Sequence, residues 1–461
     1  KILNDFKIII GVSSLHPMFG VTSILQYISA AYNNSIFSEV GVTIPLCLIA
    51  IYFYIFFIHE LFKKNKFILK FLSFFSLIYM FIEMNRYSEY GNDIPGFLYF
   101  IFVIFLFFRN NFSTLNKEEI EKIFIYSAFT FSIKTFLIFI FLIPSFIIFK
   151  KIKKNFFIPY LTIIYLSFWF LKNILISGCL IYPLNISCFK NLSWYSSDSK
   201  FQISALNSSQ FTELFIKGWY NNNLKINSIA DEKYSNNLEQ KEYFLKNFNW
   251  LNNFWIKNNF KNIIKRFDYF LILIVIFLFL KRLTQKKQSK IKINFLNDEK
   301  FKLIFFLSLI GMLSFIFKFP DGRYGAIYIF ILLFSIFINF FKKEDFSYSF
   351  YKLNITSILL ILLSISFFIK NGNRIYNNIG SQFSAWPNIY DLENKNHNKI
   401  NFDYITKNGL KIYHSTSDNL KIVHKKLCAY NYAPCTPTKN YLNQFRVKNN
   451  KNGYLILELN K

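Results

Sequence analysis

Apolar residues in this chain do not alternate with polar ones; they mass. Blocks of about 16–22 residues, dominated by Phe, Ile and Leu, are separated by polar connectors. A helix of that length crosses a ~30 Å hydrocarbon layer at 1.5 Å per residue. The pattern predicts spans over residues 40–62, 67–82, 94–108, 156–176, 267–280, 301–317, 324–341 and 355–369. Residues 120–149 are also apolar but hold Lys134 near their middle. One helix there would be about 45 Å long, more than the layer takes, so two short helices turning near Lys134 are expected. The reading is an all-α polytopic membrane protein with about ten transmembrane helices.

The intervals set the organisation. Residues 1–39 read as part of a first outer loop, and residues 20–32 within it as a short amphipathic helix lying on the membrane surface. Residues 40–176 and 267–370 form the two parts of the transmembrane core. Between them residues 177–266 make a large outer loop, and residues 371–461 a small mixed α/β outer domain whose final strand falls at residues 453–459. The chain opens on Lys1 without a charged-then-apolar leader, and an outside N-terminus carries the expectation of a further span upstream.

Composition sharpens this picture. The 461 residues are 53% hydrophobic and 21% aromatic, with 62 Phe. Lys and Arg number 54 against 26 Asp and Glu, a net charge of +28. Nucleic acid is not the implied partner, because no basic amphipathic helix, zinc knuckle or stacking motif accompanies the charge. Instead the cations gather in short connectors at 63–66, 109–122, 150–154, 281–292 and 342–343. Short basic connectors face the cytoplasm. With those five inside, the ten spans alternate without exception, and residues 1–39, 83–93, 177–266, the 321–323 turn and the tail fall outside. The location expected is a bacterial inner membrane.

The outer side then collects the polar oddities: His16, Glu83, Asp93, Lys134, Lys172, Asn173, Tyr182, Asp321 and Arg323. Ionisable groups at the edge of hydrocarbon are candidates for function. Chemistry on a lipid-linked phosphate needs a carboxylate to deprotonate or orient an acceptor hydroxyl, and cations to hold the phosphate. Asp93 or Glu83 can supply the first; Arg323, Lys134 or Lys172 the second. Each also has a plain structural reading: Asp93 as a helix cap, Asp321 and Arg323 as a turn with a local ion pair, Lys134 as a snorkelling side chain. No glycine-rich nucleotide loop is present. Cys428 and Cys435 are the favoured disulfide, with Cys179 and Cys188 less favoured; two thiols without a His at ligand spacing do not make a zinc site.

Seven islands carry a resemblance: SSLHPMFG, NDIP at Asn92 to Pro95, the Lys134 helix, KNILISGCLIYP from Lys172, FPDGRYG from Phe319, AWPNIYDL, and CAYNYAPCTP in the tail. Their order resembles a largely uncharacterised family of bacterial polytopic membrane proteins that is similar to the GT-C glycosyltransferases. The resemblance implies a GT-C-like fold and transfer of a sugar from a polyprenyl-phosphate donor to a glycan or glycolipid acceptor on the outer face. It also implies an acid in the first outer loop, beside surface helices. The part of that loop where the acid belongs would precede Lys1, and Asp5 and Glu39 stand at the wrong positions, so Asp93 is the acid this segment offers. Some GT-C enzymes use a divalent metal and others none, which leaves the cofactor open. Rival readings are a polysaccharide polymerase or ligase, a flippase of lipid-linked sugars, and a non-catalytic assembly subunit.

Overall fold

The computed structural model describes residues 8–15, 19–34, 36–63, 66–83, 92–110, 116–151, 159–195, 213–214, 216–217, 238–251, 298–338, 354–378, 402–415, 434–436, 445–449 and 453–459. In chain order the helices are α1 (Ile24–Tyr32), α2 (Ile44–Phe62), α3 (Phe67–Glu83), α4 (Asp93–Arg109), α5 (Lys117–Ile133), α6 (Leu142–Lys151), α7 (Tyr160–Ser177), α8 (Leu238–Leu245), α9 (Glu299–Lys318), α10 (Gly322–Ile338) and α11 (Asn354–Asn378). Strands β1 (Phe402–Lys407), β2 (Leu410–Ser415), β3 (Cys435–Thr436), β4 (Phe445–Asn449) and β5 (Leu455–Leu459) follow. Three stretches among the described residues are long and apolar enough to cross a membrane: Gly41–Phe62, Tyr160–Ser177 and Glu299–Lys318. The helices over Ile68–Phe81, Thr135–Lys150 and Arg323–Ile336 are shorter apolar ones, and the expected span at 267–280 lies outside the described residues.

The chain divides into two compact units. One holds residues 43–162 and 257–387. Its core is packed with phenylalanine, including fully buried Phe53, Phe57, Phe75, Phe97, Phe100 and Phe105. Helix α4 is buried on nearly every side, from Ile94 to Phe108, as expected of a helix apolar all round. Helix α2 buries Phe53, Phe57 and Leu61 but exposes Leu48, Ile51, Tyr52 and Ile55. An exposed apolar face of that extent fits lipid contact. Ser76, Ser127 and Thr130 return their hydroxyls to carbonyls one turn back in their own helices, each at 2.7 Å, which satisfies them without solvent.

The expected turn at Lys134 is present. Helix α5 opens on an Asn116–Glu119 capping box and stops at Ile133, where Lys134 takes extended backbone (φ −150°, ψ 109°). A 3₁₀ stretch, Thr135–Phe141, leads into α6. Helices α9 and α10 form a tight hairpin around the Pro320-Asp321 turn. Its glycines set the approach: a Cβ on Gly311 would run into the Tyr328 ring, and one on Gly325 into the Phe315 ring.

The other unit gathers residues 1–42, 163–256 and 388–461. Ile9, Val12, Leu15, Ile176, Leu410, Ile412, Val447 and Leu457 share one core. Ile10 joins β5 as a parallel bridge, its N–H donating to Leu455 O at 2.9 Å and its carbonyl accepting from Leu457 N at 3.0 Å. Strands β1, β2 and β3 form one sheet, β4 and β5 a second, and β5 coincides with the expected final strand. Helix α1 begins at the Ser23–Gln26 capping box, within the expected amphipathic segment. Helix α7 ends where Gly178 takes φ 77° and its N–H donates to Ile174 O at 2.7 Å, a glycine stop of the left-handed type. Beyond it a hairpin, tied by Leu180 N to Ser187 O and Phe189 N to Gly178 O, brings Cys179 and Cys188 into a disulfide. The sequence ranked this pair second. Cys428, half of the favoured pair, lies outside the described residues, and Cys435 opens β3.

Candidate functional site

Asp93 starts α4. The preceding Asn92 occupies the N-cap without a side-chain cap bond, and the Asp93 carboxylate turns to two cations instead. Its Oδ1 accepts from Lys134 Nζ at 2.5 Å, and its Oδ2 from Arg323 Nε at 2.8 Å. Residues 41 and 230 positions away in sequence thus meet on one carboxylate. Lys134 Nζ also donates to the Arg323 carbonyl at 2.6 Å and sits 4.3 Å from the centroid of the Tyr324 ring and 5.4 Å from that of Phe97. A cation over an aromatic face is stabilised by the ring quadrupole.

Local sequence builds each arm. Gly96, one turn after Asp93, lets α4 approach the break at Lys134: a Cβ there would stand 3.0 Å from Leu137 and 3.2 Å from Ile133. Asp321 Oδ1 accepts from Arg323 N at 3.0 Å and so caps the start of α10. That bond holds the Arg323 backbone in the place where its carbonyl meets Lys134 and its side chain meets Asp93. Phe136 packs edge-on against Phe319, Tyr324 and Tyr328, and Tyr328 Oη donates to Phe136 O at 2.8 Å.

Exposure separates the three charged groups. The side chains of Lys134 and Asp93 are 11% and 14% exposed, whereas that of Arg323 is 55% exposed. Asp93 takes only the Nε edge of the guanidinium. The terminal Nη groups of Arg323 make no hydrogen bond among the described residues and remain available to an oxyanion, for which a guanidinium is a planar, bidentate donor.

Five further expected residues fall in the other unit or have side chains outside those described. Lys172 Nζ donates to Thr22 Oγ1 at 2.5 Å and lies 3.3 Å from the centroid of Trp169. Asn173 Nδ2 donates to Leu180 O at 2.8 Å and steadies the disulfide hairpin. Tyr182 is buried against Gly20, where a Cβ would strike its ring. His16 lies outside the described residues. Glu83 ends α3, and its side chain is not among those described. Tyr27, on α1 near Lys172, has its phenol pushed up to about 12 by burial, with the Thr22 hydroxyl pulling the other way. Among the described residues no group of three His, Cys, Asp or Glu side chains is arranged to hold a metal.

Sequence reasoning missed Tyr324 and Phe97 at the first site and Trp169, Tyr27 and Thr22 around Lys172. Tyr324 had a signal, its place beside Arg323 in FPDGRYG; Trp169 had another, since three positions separate it from Lys172 on one helix face.

A family model described as a domain of unknown function, DUF8201, matches residues 1–330. The chain belongs to that family. The DUF8201 region takes in Asp93, Lys134, Lys172 and Arg323 and ends before the C-terminal strands. No curated protein and no solved structure matches the chain.

Proposed function

We propose that this protein is a membrane glycosyltransferase that moves a sugar from a polyprenyl-phosphate donor to a glycan or glycolipid acceptor, in surface polysaccharide or glycolipid assembly. Its setting would be a bacterial inner membrane, crossed by about ten helices of a GT-C-like fold, with the site, the large loop and the C-terminal strands on the outer side. The single observation that carries this reading is the Asp93–Lys134–Arg323 cluster, in which a buried carboxylate and ammonium hold an exposed guanidinium at one end of apolar helices.

The chemistry follows from those pairings. A donor phosphate would take the free Nη edge of Arg323 and compete with Asp93 for the guanidinium. As Arg323 shifts toward phosphate, Asp93 Oδ2 is released to orient the acceptor hydroxyl. The hydroxyl oxygen attacks the anomeric carbon and gives its proton to the carboxylate. The bond from that carbon to the phosphate oxygen breaks, and the phosphate leaves with the electron pair against Arg323. Lys134 serves here as a positioning residue, because its ammonium is already bound to Asp93 and the Arg323 carbonyl.

The test is transfer of radiolabelled sugar from a panel of polyprenyl-phosphate sugars by the full chain in nanodiscs. Transfer by the parent, reduced about 10²-fold or more in Arg323→Ala and lost in Asp93→Asn, is the expected result. Transfer untouched by either change would discard the site. Absence of transfer with every donor, alongside saturable binding of lipid phosphate, would move the function to a flippase or an accessory subunit.

A further inference from the structure

The unit that contains α1 and α7 holds a second concentration of donors. Lys172 has no carboxylate partner among the described residues; its contacts are the Thr22 hydroxyl and two aromatic faces, Trp169 at 3.3 Å and Tyr27 at 5.4 Å from their centroids. Trp169 is 4% exposed, and its indole Nε1 has no hydrogen-bond partner among the described residues. An indole nitrogen is a donor only, and an ammonium likewise accepts nothing. Leaving such a donor buried and unpaired is costly. Three positions apart on α7, the two side chains share one face, and the ammonium lies directly against the indole. The cluster is therefore rich in donors, short of acceptors, and half open at Lys172, Thr22 and Tyr27.

We propose that Lys172, the Trp169 indole N–H and the Thr22 hydroxyl form a second oxyanion site that takes a phosphate group. The ammonium supplies the charge, Nε1–H and the hydroxyl supply directional hydrogen bonds, and the Tyr27 and Trp169 rings wall the site with apolar surface. Thr22 changes partner on binding, its hydroxyl turning from acceptor of Lys172 to donor toward the anion. This site does not depend on the transferase reading, since Arg323 takes no part in it.

Calorimetric titration of the full chain in phosphatidylcholine nanodiscs tests it, with inorganic phosphate in one arm and farnesyl monophosphate in the other. Arg323→Ala serves as the background, so that only the second site is read. Lys172→Met removes the charge. Trp169→Phe keeps an aromatic face for the ammonium but deletes the N–H, and it decides the matter should Lys172→Met fail to fold. Binding in the background, weakened about tenfold or more by each change, as expected for hydrogen bonds to a charged group, supports the site. Tighter binding of farnesyl phosphate identifies a lipid headgroup as its ligand, and equal binding a free phosphate. No binding in either arm, or unchanged binding in Trp169→Phe, overturns the proposal.

Discussion

At the scale of single residues, Asp93 holds two cations at once, and the pairing explains why a lysine can stand in the middle of an apolar stretch. Desolvating the Lys134 ammonium is offset by Asp93, the Arg323 carbonyl and the Tyr324 ring. Taking one member of such a pair away leaves an uncompensated charge, which costs about 3–5 kcal/mol. Asp93→Leu alone is therefore expected to lower the thermal unfolding midpoint in detergent sharply. The double change Asp93→Leu with Lys134→Met should recover much of the loss, because apolar replacement of a buried pair is often neutral. Additive losses in that cycle would mean that the two side chains do not form the pair. The candidates Asp93, Asp321 and Arg323 were legible as charges at the edges of apolar blocks, and Lys134 as a charge within one. Their division of labour was not. Nothing in FPDGRYG says that Asp321 binds the backbone of Arg323 while the guanidinium reaches a carboxylate 230 positions earlier.

At the scale of elements, helix ends are set locally, by caps. Ser23–Gln26, Asn116–Glu119 and the Ser177-Gly178 stop all follow from residues within one turn of the boundary. Strand pairing is less local. On β5, Glu458 sits opposite Arg446 of β4 and is bound by Arg446 at 2.9 Å and Lys448 at 2.8 Å. Burial would raise its carboxyl, but Lys448, Ser193 and Arg446 hold it below the ordinary value of 4.5. A folded-state pKa below the unfolded one adds stability that is complete above the unfolded pKa and is lost as pH falls through the folded one. The β4–β5 hairpin should accordingly lose hydrogen-exchange protection on going from neutral pH to about pH 4 and below, after correction for intrinsic exchange. Glu458→Gln should abolish that acid-side loss. Equal acid sensitivity in both proteins would show that the pairing contributes nothing.

At the scale of the whole molecule, the lysine connectors make the sharpest claim. With basic segments such as 63–66 and 150–154 inside, single added cysteines placed there in a background with Cys47, Cys428 and Cys435 changed to Ser should react with an impermeant maleimide only after the membrane is opened. Cysteines at Asn92 or Lys318 should react from outside in intact cells. Labelling of all positions from one side would end the alternating arrangement proposed above. By itself the sequence determined the apolar blocks, the break at Lys134 and the final strand, because each depends on residues within a few positions of one another: hydrophobic length, a charge without a local partner, a short apolar run. Only the tertiary structure decided which distant groups meet. It put Asp93 between Lys134 and Arg323 and joined Ile10 to β5. Those choices rest on packing and charge compensation between segments far apart in the chain, and such pairings leave no periodicity in the sequence to read.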